Sequence, residues 1–207
     1  YIRAGSQLIE TNTFGANLFK LREAGVEEQV REVNRAGAVV AVKAAGHQVY
    51  VAGSVGPSGI KFPLDEAEVS ADDISHAFQE QMAGLVEGGV DLLIVETFSS
   101  LEEVLLAIRA ARTVAPALPL VAQMVFPARG MTVRGKDAFS CGKAMAEAGA
   151  DVVGTNCGRG IDAMVTAVGL MMPLASEGIL LSAFPNAGMP EMVGDRMIYP
   201  AQPAYMA

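Results

Sequence analysis

The chain has 207 residues, a length that suits a single domain. A composition of 51% hydrophobic and 18% charged residues can bury a large core and excludes a disordered or low-complexity polypeptide. The formal net charge of -8, with no basic run, argues against a nucleic-acid partner and an anionic membrane surface, and no apolar stretch reaches the roughly 18 residues of a membrane span.

In chain order, Tyr1-Ile2-Arg3-Ala4-Gly5 lacks the basic start and apolar core of a signal peptide and reads as the end of a helix. A strand is expected over residues 7–11. A helix over 26–45 follows, with Val30, Val33, Ala38 and Val42 at helical spacing. The strand at 48–54 leads to a helix at 71–87, opened by Ser70 as N-cap and by Asp72 and Asp73 in its first turn. Next come a strand at 92–97, a helix at 100–114, a strand at 120–126 and a helix at 136–148. A strand at 152–156, a helix at 161–172 and a strand at 179–184 complete the series. Pro203-Ala204-Tyr205-Met206-Ala207 reads as a helix just beginning. Both ends have a mid-element look, so the natural polypeptide is expected to continue beyond them.

The strands are nearly continuous hydrophobics, as in a parallel sheet covered on both faces, and their alternation with helices implies right-handed βαβ crossovers. The phrases Gly88-Gly89-Val90-Asp91 and Ala148-Gly149-Ala150-Asp151 repeat one pattern, in which Gly ends a helix in the left-handed region and Asp stands just outside the next strand. Polar chemistry closes nearly every strand: Glu10 to Thr13, Ser54, Glu96-Thr97, Gln123, Asn156-Cys157 and Asn186. An open doubly wound sheet concentrates its site at one switch point, whereas a barrel draws its site from many strand ends. The expected fold is therefore α/β, a (β/α)8 TIM-type barrel lacking its first and last strands here, with residues 1–207 as one domain.

Val152-Val153-Gly154-Thr155-Asn156-Cys157-Gly158 carries a strand into a thiol flanked by glycines, fit for a nucleophile or a metal ligand; a buried, inert cysteine is the competing reading. Cys141 lies in a helical phrase and is expected to be structural. With two cysteines there is no disulfide framework, and cytoplasmic free thiols or metal ligands fit better. Glu96 ends an apolar strand, where a carboxylate needs a ligand, a cation or a salt bridge. Glu10-Thr11-Asn12-Thr13-Phe14-Gly15-Ala16-Asn17 offers hydrogen-bonding side chains, or an Asx turn with a helix N-cap. Gly53-Ser54-Val55-Gly56-Pro57-Ser58-Gly59 matches neither a dinucleotide fingerprint nor a P-loop. His47 and His76 are expected on the surface.

Five phrases in this order resemble the homocysteine S-methyltransferase family: Glu10 to Asn17, Gly56-Pro57-Ser58-Gly59, Glu96-Thr97-Phe98, Gly154-Thr155-Asn156-Cys157-Gly158 and Pro185-Asn186-Ala187-Gly188-Met189-Pro190. The match covers essentially the whole chain and is nearest to homocysteine domains of cobalamin-dependent methionine synthases and of fusions with methylenetetrahydrofolate reductase. This resemblance implies a barrel mouth holding Zn²⁺ on three thiolates, the first at Cys157, with Asn186 in the loop beside the metal as a candidate ligand when substrate is absent. It implies that Glu96 receives the amino group of homocysteine and that Thr11, Asn12 and Phe14 line the pocket. The implied reaction is zinc-dependent methyl transfer to the homocysteine thiol, giving methionine. Donors left open are methylcobalamin on a corrinoid or folate domain or protein, S-methylmethionine and S-adenosylmethionine; Gly15 stands where the betaine-using branch has Tyr. The family's Gly-Gly-Cys-Cys-Gly phrase, which supplies the other two thiolates, and its Asp-Gly-Ala-Met-Gly phrase are not in this sequence.

Competing readings are another barrel enzyme, such as an aldolase or phosphate-binding lyase, and a catalytically inactive homologue serving as a docking module. No Lys follows Lys143, which weakens a Schiff-base aldolase.

Overall fold

A computed structural model describes residues 1–64, 68–158, 160–188, 191–199 and 201–206. Six strands, β1 (Leu8–Glu10), β2 (Tyr50–Val55), β3 (Leu92–Phe98), β4 (Leu120–Met124), β5 (Val152–Cys157) and β6 (Leu180–Pro185), form one sheet in sequence order. Every neighbouring pair is parallel. Helices α1 (Leu18–Glu23), α2 (Val30–Ala45), α3 (Ala71–Glu87), α4 (Leu101–Val114), α5 (Ala138–Glu147) and α6 (Ile161–Ser176) lie between the strands. This is an α/β half-barrel of the TIM type: the expected strand order is realised over six strands, and a closed eight-stranded barrel is not.

Several elements differ from expectation. The first helix candidate splits into a 3₁₀ turn, Glu27–Gln29, followed by α2, and α1 was not anticipated. The chain's first turn is a 3₁₀ helix, Ile2–Ala4, and its last described turn is α7 (Pro203–Met206). A two-stranded antiparallel hairpin, β7 (Glu191–Val193) and β8 (Arg196–Ile198), follows the sheet. Both histidines are exposed, as expected. Among the described residues no helix is long and apolar enough to cross a membrane.

Alternation along the strands separates two apolar layers. Val51, Val55, Leu93, Val95, Phe98, Leu120, Ala122, Met124 and Val153 face the helices and join the main core with Ile74, Phe78, Leu85, Val104 and Met145. The Phe78 and Phe98 rings pack with centroids 6.0 Å apart. Ala52, Ile94 and Val121 form a second cluster on the opposite, concave face, flanked by Leu8, Leu92 and Val152. Residues two positions further along those strands therefore share the concave face: Glu10, Ser54, Glu96, Gln123 and Gly154, with Asn156 beyond.

The repeated Gly-x-Asp phrase has a structural purpose. Asp91, just before β3, accepts from the Val51 amide of β2 at 2.7 Å; Asp151, before β5, accepts from the Leu120 amide of β4 at 2.7 Å. Each aspartate thus satisfies an amide near the start of the preceding strand. Gly89 and Gly149, in the left-handed region at φ 87 and 112, make the turns that deliver them.

Candidate functional site

The C-terminal ends of β3 and β5 are joined by one asparagine. Asn156 is 2% exposed. Its Oδ1 accepts from the Thr97 amide at 2.8 Å, and its Nδ2 donates to Glu96 Oε2 at 3.0 Å and to Thr97 Oγ1 at 2.7 Å. These bonds cross β4, which lies between β3 and β5, so they report the curl of the sheet. The second Glu96 oxygen accepts from Ser54 Oγ at 2.6 Å. Glu96 is therefore held by two neutral donors from different strands, and among the described residues no cation pairs with it.

A local irregularity aims this group. Val95 pairs with Ala122 and Phe98 with Met124, so Glu96 and Thr97 together face the single residue Gln123. Such a bulge re-aims side chains at a sheet's rim. Thr97 takes φ 65, rare for a β-branched residue, and Cys157 takes φ 56. Each such conformation costs of order 1–3 kcal/mol and persists where surrounding bonds over-determine it, as Asn156 does for Thr97. The Cys157 sulfur lies 3.8 Å from Thr97 Oγ1 and 3.6 Å from Asn156 Nδ2. Cys157 is half-buried at the rim, whereas Cys141 is buried on α5 with its thiol pushed up to about 11 by burial.

Glu10 adds a second carboxylate. It ends β1 on the concave side and keeps an exposed flank. Burial first, and the Glu96 charge second, raise its pKa to about 7. The mouth therefore carries an excess of negative character.

The Glu10-to-Asn17 phrase is largely turned toward the scaffold. Thr11 Oγ1 shares a 2.6 Å hydrogen bond with Thr13 Oγ1 and accepts from the Ser54 amide; Thr13 donates to the Ser54 carbonyl. Asn17 caps α1 and donates to the Pro57 carbonyl. From behind, Asn34 on α2 and Gln81 on α3 donate to the carbonyls of Ala16 and Thr13. Asn12 and Phe14 remain exposed, Asn12 on a cleft of about 630 Å³ that it shares with Glu10, Thr11 and Phe184. In the Gly-Pro-Ser-Gly phrase, Ser58 binds the buried Glu103 of α4 through both its amide and its hydroxyl. Burial raises the Glu103 pKa, and these bonds oppose the rise.

Asn186 follows β6 and donates to the Gly158 carbonyl at 3.2 Å, which puts it beside the Cys157 turn. Met189 and Pro190 of its phrase lie outside the described residues. The structure thus brings Glu96, Cys157 and Asn186 to one rim, and adds Asn156, Thr97, Ser54 and Glu10, which the sequence marked only as polar strand ends. The donor set does not fit catalytic zinc: among the described residues no three His, Cys, Asp or Glu side chains converge, and Cys157 is the one thiol at the rim.

Comparison with known proteins gives consistent findings. The model of the family described as homocysteine S-methyltransferase matches residues 1–207. A methionine synthase of Mycobacterium leprae (strain TN) is 31% identical over 218 residues, covering 100% of this chain. A methionine synthase of Mycobacterium tuberculosis (strain ATCC 25618 / H37Rv) is 30% identical over the same length. The chain spans 18% of the length of each of these relatives. The metallated crystal structure of the homocysteine methyltransferase MmuM from Escherichia coli superposes with a TM-score of 0.75 at 21% identity, covering 91% of this chain and 69% of that one, and supports the fold.

Proposed function

The chain belongs to the homocysteine S-methyltransferase family, and on that premise we propose that it binds homocysteine as the acceptor in methyl transfer, with Glu96 receiving the substrate's ammonium group. The observation that carries the reading is the Glu96 carboxylate, fixed by Ser54 and Asn156 at a strand end and left without a cationic partner among the described residues. Half-buried and hydrogen-bonded by two neutral donors, this carboxylate still bears a partial desolvation cost while it lacks a counter-charge. An ammonium group offsets that cost, and the second carboxylate, Glu10, reinforces the preference for a cation.

With its amino group on Glu96, the substrate points its thiol toward the β3 and β5 ends, where Thr97 and Cys157 lie. In the transfer, the thiol gives its proton to solvent, its sulfur forms a bond to the methyl carbon, and the bond between that carbon and the donor breaks with its electron pair leaving on the donor. This chain's residues supply position and charge. Zinc dependence, which the family resemblance implies, requires thiolates beyond Cys157. Thr11, Asn12 and Phe14 complete the proposed acceptor pocket, and Cys157 with Asn186 forms its thiol end. The methyl group is proposed to arrive from a corrinoid or folate domain, a reading supported by the two methionine synthase relatives, and the setting is proposed to be the cytoplasm.

The test is binding of homocysteine against 4-mercaptobutanoate, which lacks only the amino group. Glu96→Gln should weaken homocysteine by about 10- to 150-fold, the range of one hydrogen bond to a charged group, and leave 4-mercaptobutanoate nearly unchanged. Equal losses for both thiols would give Glu96 a structural or general-base role instead.

A further inference from the structure

Three buried side-chain oxygens among the described residues have no hydrogen-bond partner: those of Asn34, Gln81 and Gln123. Asn34 and Gln81 lie on α2 and α3, behind the loop that follows β1, where their amide nitrogens already hold that loop. Gln123 differs in place. Its neighbours Ala122 and Met124 face the helix-side core and Val121 faces the concave side, so Gln123 points into the half-barrel. It is 0% exposed.

A lateral row across four strands places it next to the proposed acceptor site. The Glu96-Thr97 bulge faces Gln123 on β4, Gln123 pairs with Gly154 on β5, and Gly154 pairs with Ser182 on β6. Gln123 Nε2 donates to Ser182 Oγ at 3.0 Å, reaching over Gly154. Only a residue without a side chain permits this, because a Cβ at Gly154 would collide with the Ser182 carbonyl and hydroxyl. The Ser182 bond fixes the amide and leaves Oε1 as a buried acceptor with no partner among the described residues, on a strand whose register sets Gln123 opposite the Glu96-Thr97 bulge. Burying such an oxygen without a partner is unfavourable, and a ligand donor would recover what is lost.

The chemistry of the site selects the donor. Glu96 spends one oxygen on Ser54 and the other on Asn156. An ammonium group has three N–H donors and one carboxylate cannot satisfy them all. We propose that Gln123 Oε1 accepts an N–H of the substrate's ammonium group alongside Glu96, making Gln123 a second residue that distinguishes an amino acid from its deaminated counterpart. This inference rests on the reading of Glu96 as the ammonium site.

The probes are L-methionine, the product of the proposed transfer, and 4-(methylthio)butanoate, which lacks only the amino group; neither requires a metal-bound thiolate. Binding of both to the purified protein is measured by calorimetry at pH 8 for wild type, Gln123→Met, Gln123→Glu and Glu96→Gln. Gln123→Met should weaken L-methionine on the order of 10-fold and leave 4-(methylthio)butanoate unchanged. Gln123→Glu, which keeps an acceptor, should retain the preference for the amino acid and serves as the readout if the Met variant does not fold. Equal losses for both ligands, no loss for either, or abolition of the preference by Gln123→Glu would each overturn the proposal. If Glu96→Gln removes the preference and both Gln123 variants keep it, the Glu96 reading stands and the Gln123 inference falls. If wild type shows no preference for L-methionine, both fall.

Discussion

Asn156 is the position where one substitution tests the whole rim. Asn156→Ala removes the acceptor of the Thr97 amide, one donor to Glu96 and one donor to Thr97 Oγ1. A neutral hydrogen bond contributes about 0.5–1.5 kcal/mol and one to a charged group about 1.5–3. Glu96 and Thr97 are only half-buried, so water replaces part of what is lost. The expected destabilisation is therefore about 2–4 kcal/mol, read as a lower urea midpoint at unchanged slope. Asn156→Asp sharpens the test. It keeps an acceptor for the Thr97 amide and sets a second carboxylate where Nδ2 lies 3.0 Å from Glu96. Two such carboxylates cannot both ionise cheaply, so the folded pair binds a proton that the unfolded chain releases. A raised acid contributes stability that is fully present below the unfolded pKa of about 4.3 and is lost as pH rises through the folded value. Asn156→Asp should therefore approach wild-type stability near pH 4 and fall progressively behind it toward pH 7. An alanine variant within about 0.5 kcal/mol of wild type, or an aspartate variant whose deficit does not change with pH, would refute the role assigned to Asn156.

Three further outcomes follow. Glu10, with its pKa raised to about 7, is half protonated near neutrality, and a cation bound beside it favours its ionised form. Affinity for L-methionine should thus rise as pH goes from 6 to 8, and Glu10→Gln should flatten that rise; a profile unchanged by the substitution would remove Glu10 from the ligand's surroundings. Maleimide labelling of the native protein should occur at Cys157 and reach Cys141 only on unfolding, since burial of Cys141 holds its thiol protonated to about pH 11. The 207-residue chain should bind zinc weakly or not at all, and metal analysis that found one equivalent on the purified protein would contradict the misfit of its donor set.

The order of elements was legible because buried parallel strands are continuous apolar runs and the helices between them carry caps and a 3.6-residue period. Strand ends were less so: Thr11, Val125 and Phe126 have strand-like side chains but lie outside β1 and β4, where the chain turns to form the rim. The β7–β8 hairpin was missed although Gly194-Asp195 between two short apolar runs is a hairpin signal. In the site, Glu96 stood out as a charge ending an apolar strand and Cys157 as a thiol between a strand and a glycine. Asn156 could not be singled out, since its partners lie on β3 and are reached only across a curled sheet. The Glu10-to-Asn17 phrase misled in another way: hydroxyls and amides that look available to a ligand are mostly committed to Ser54, Pro57 and the start of α1.

Two of the left-handed non-glycine residues, Thr97 and Cys157, stand at the ends of strands separated by β4, and their conformations are linked through Asn156. Neither conformation is favourable alone, so the network that holds one in place also constrains the other. The same asparagine grips Glu96, which gives the carboxylate and the sulfur a shared support. Under the proposed function such a shared support would matter, because misplacing reacting atoms by about 1 Å can cost on the order of 100-fold in rate. The bulge at Glu96-Thr97 serves that end: without the extra residue, the alternation of β3 would continue and Thr97 would keep an ordinary strand amide paired with β4. With it, the Thr97 amide turns to Asn156, and two strand ends act as one rigid rim.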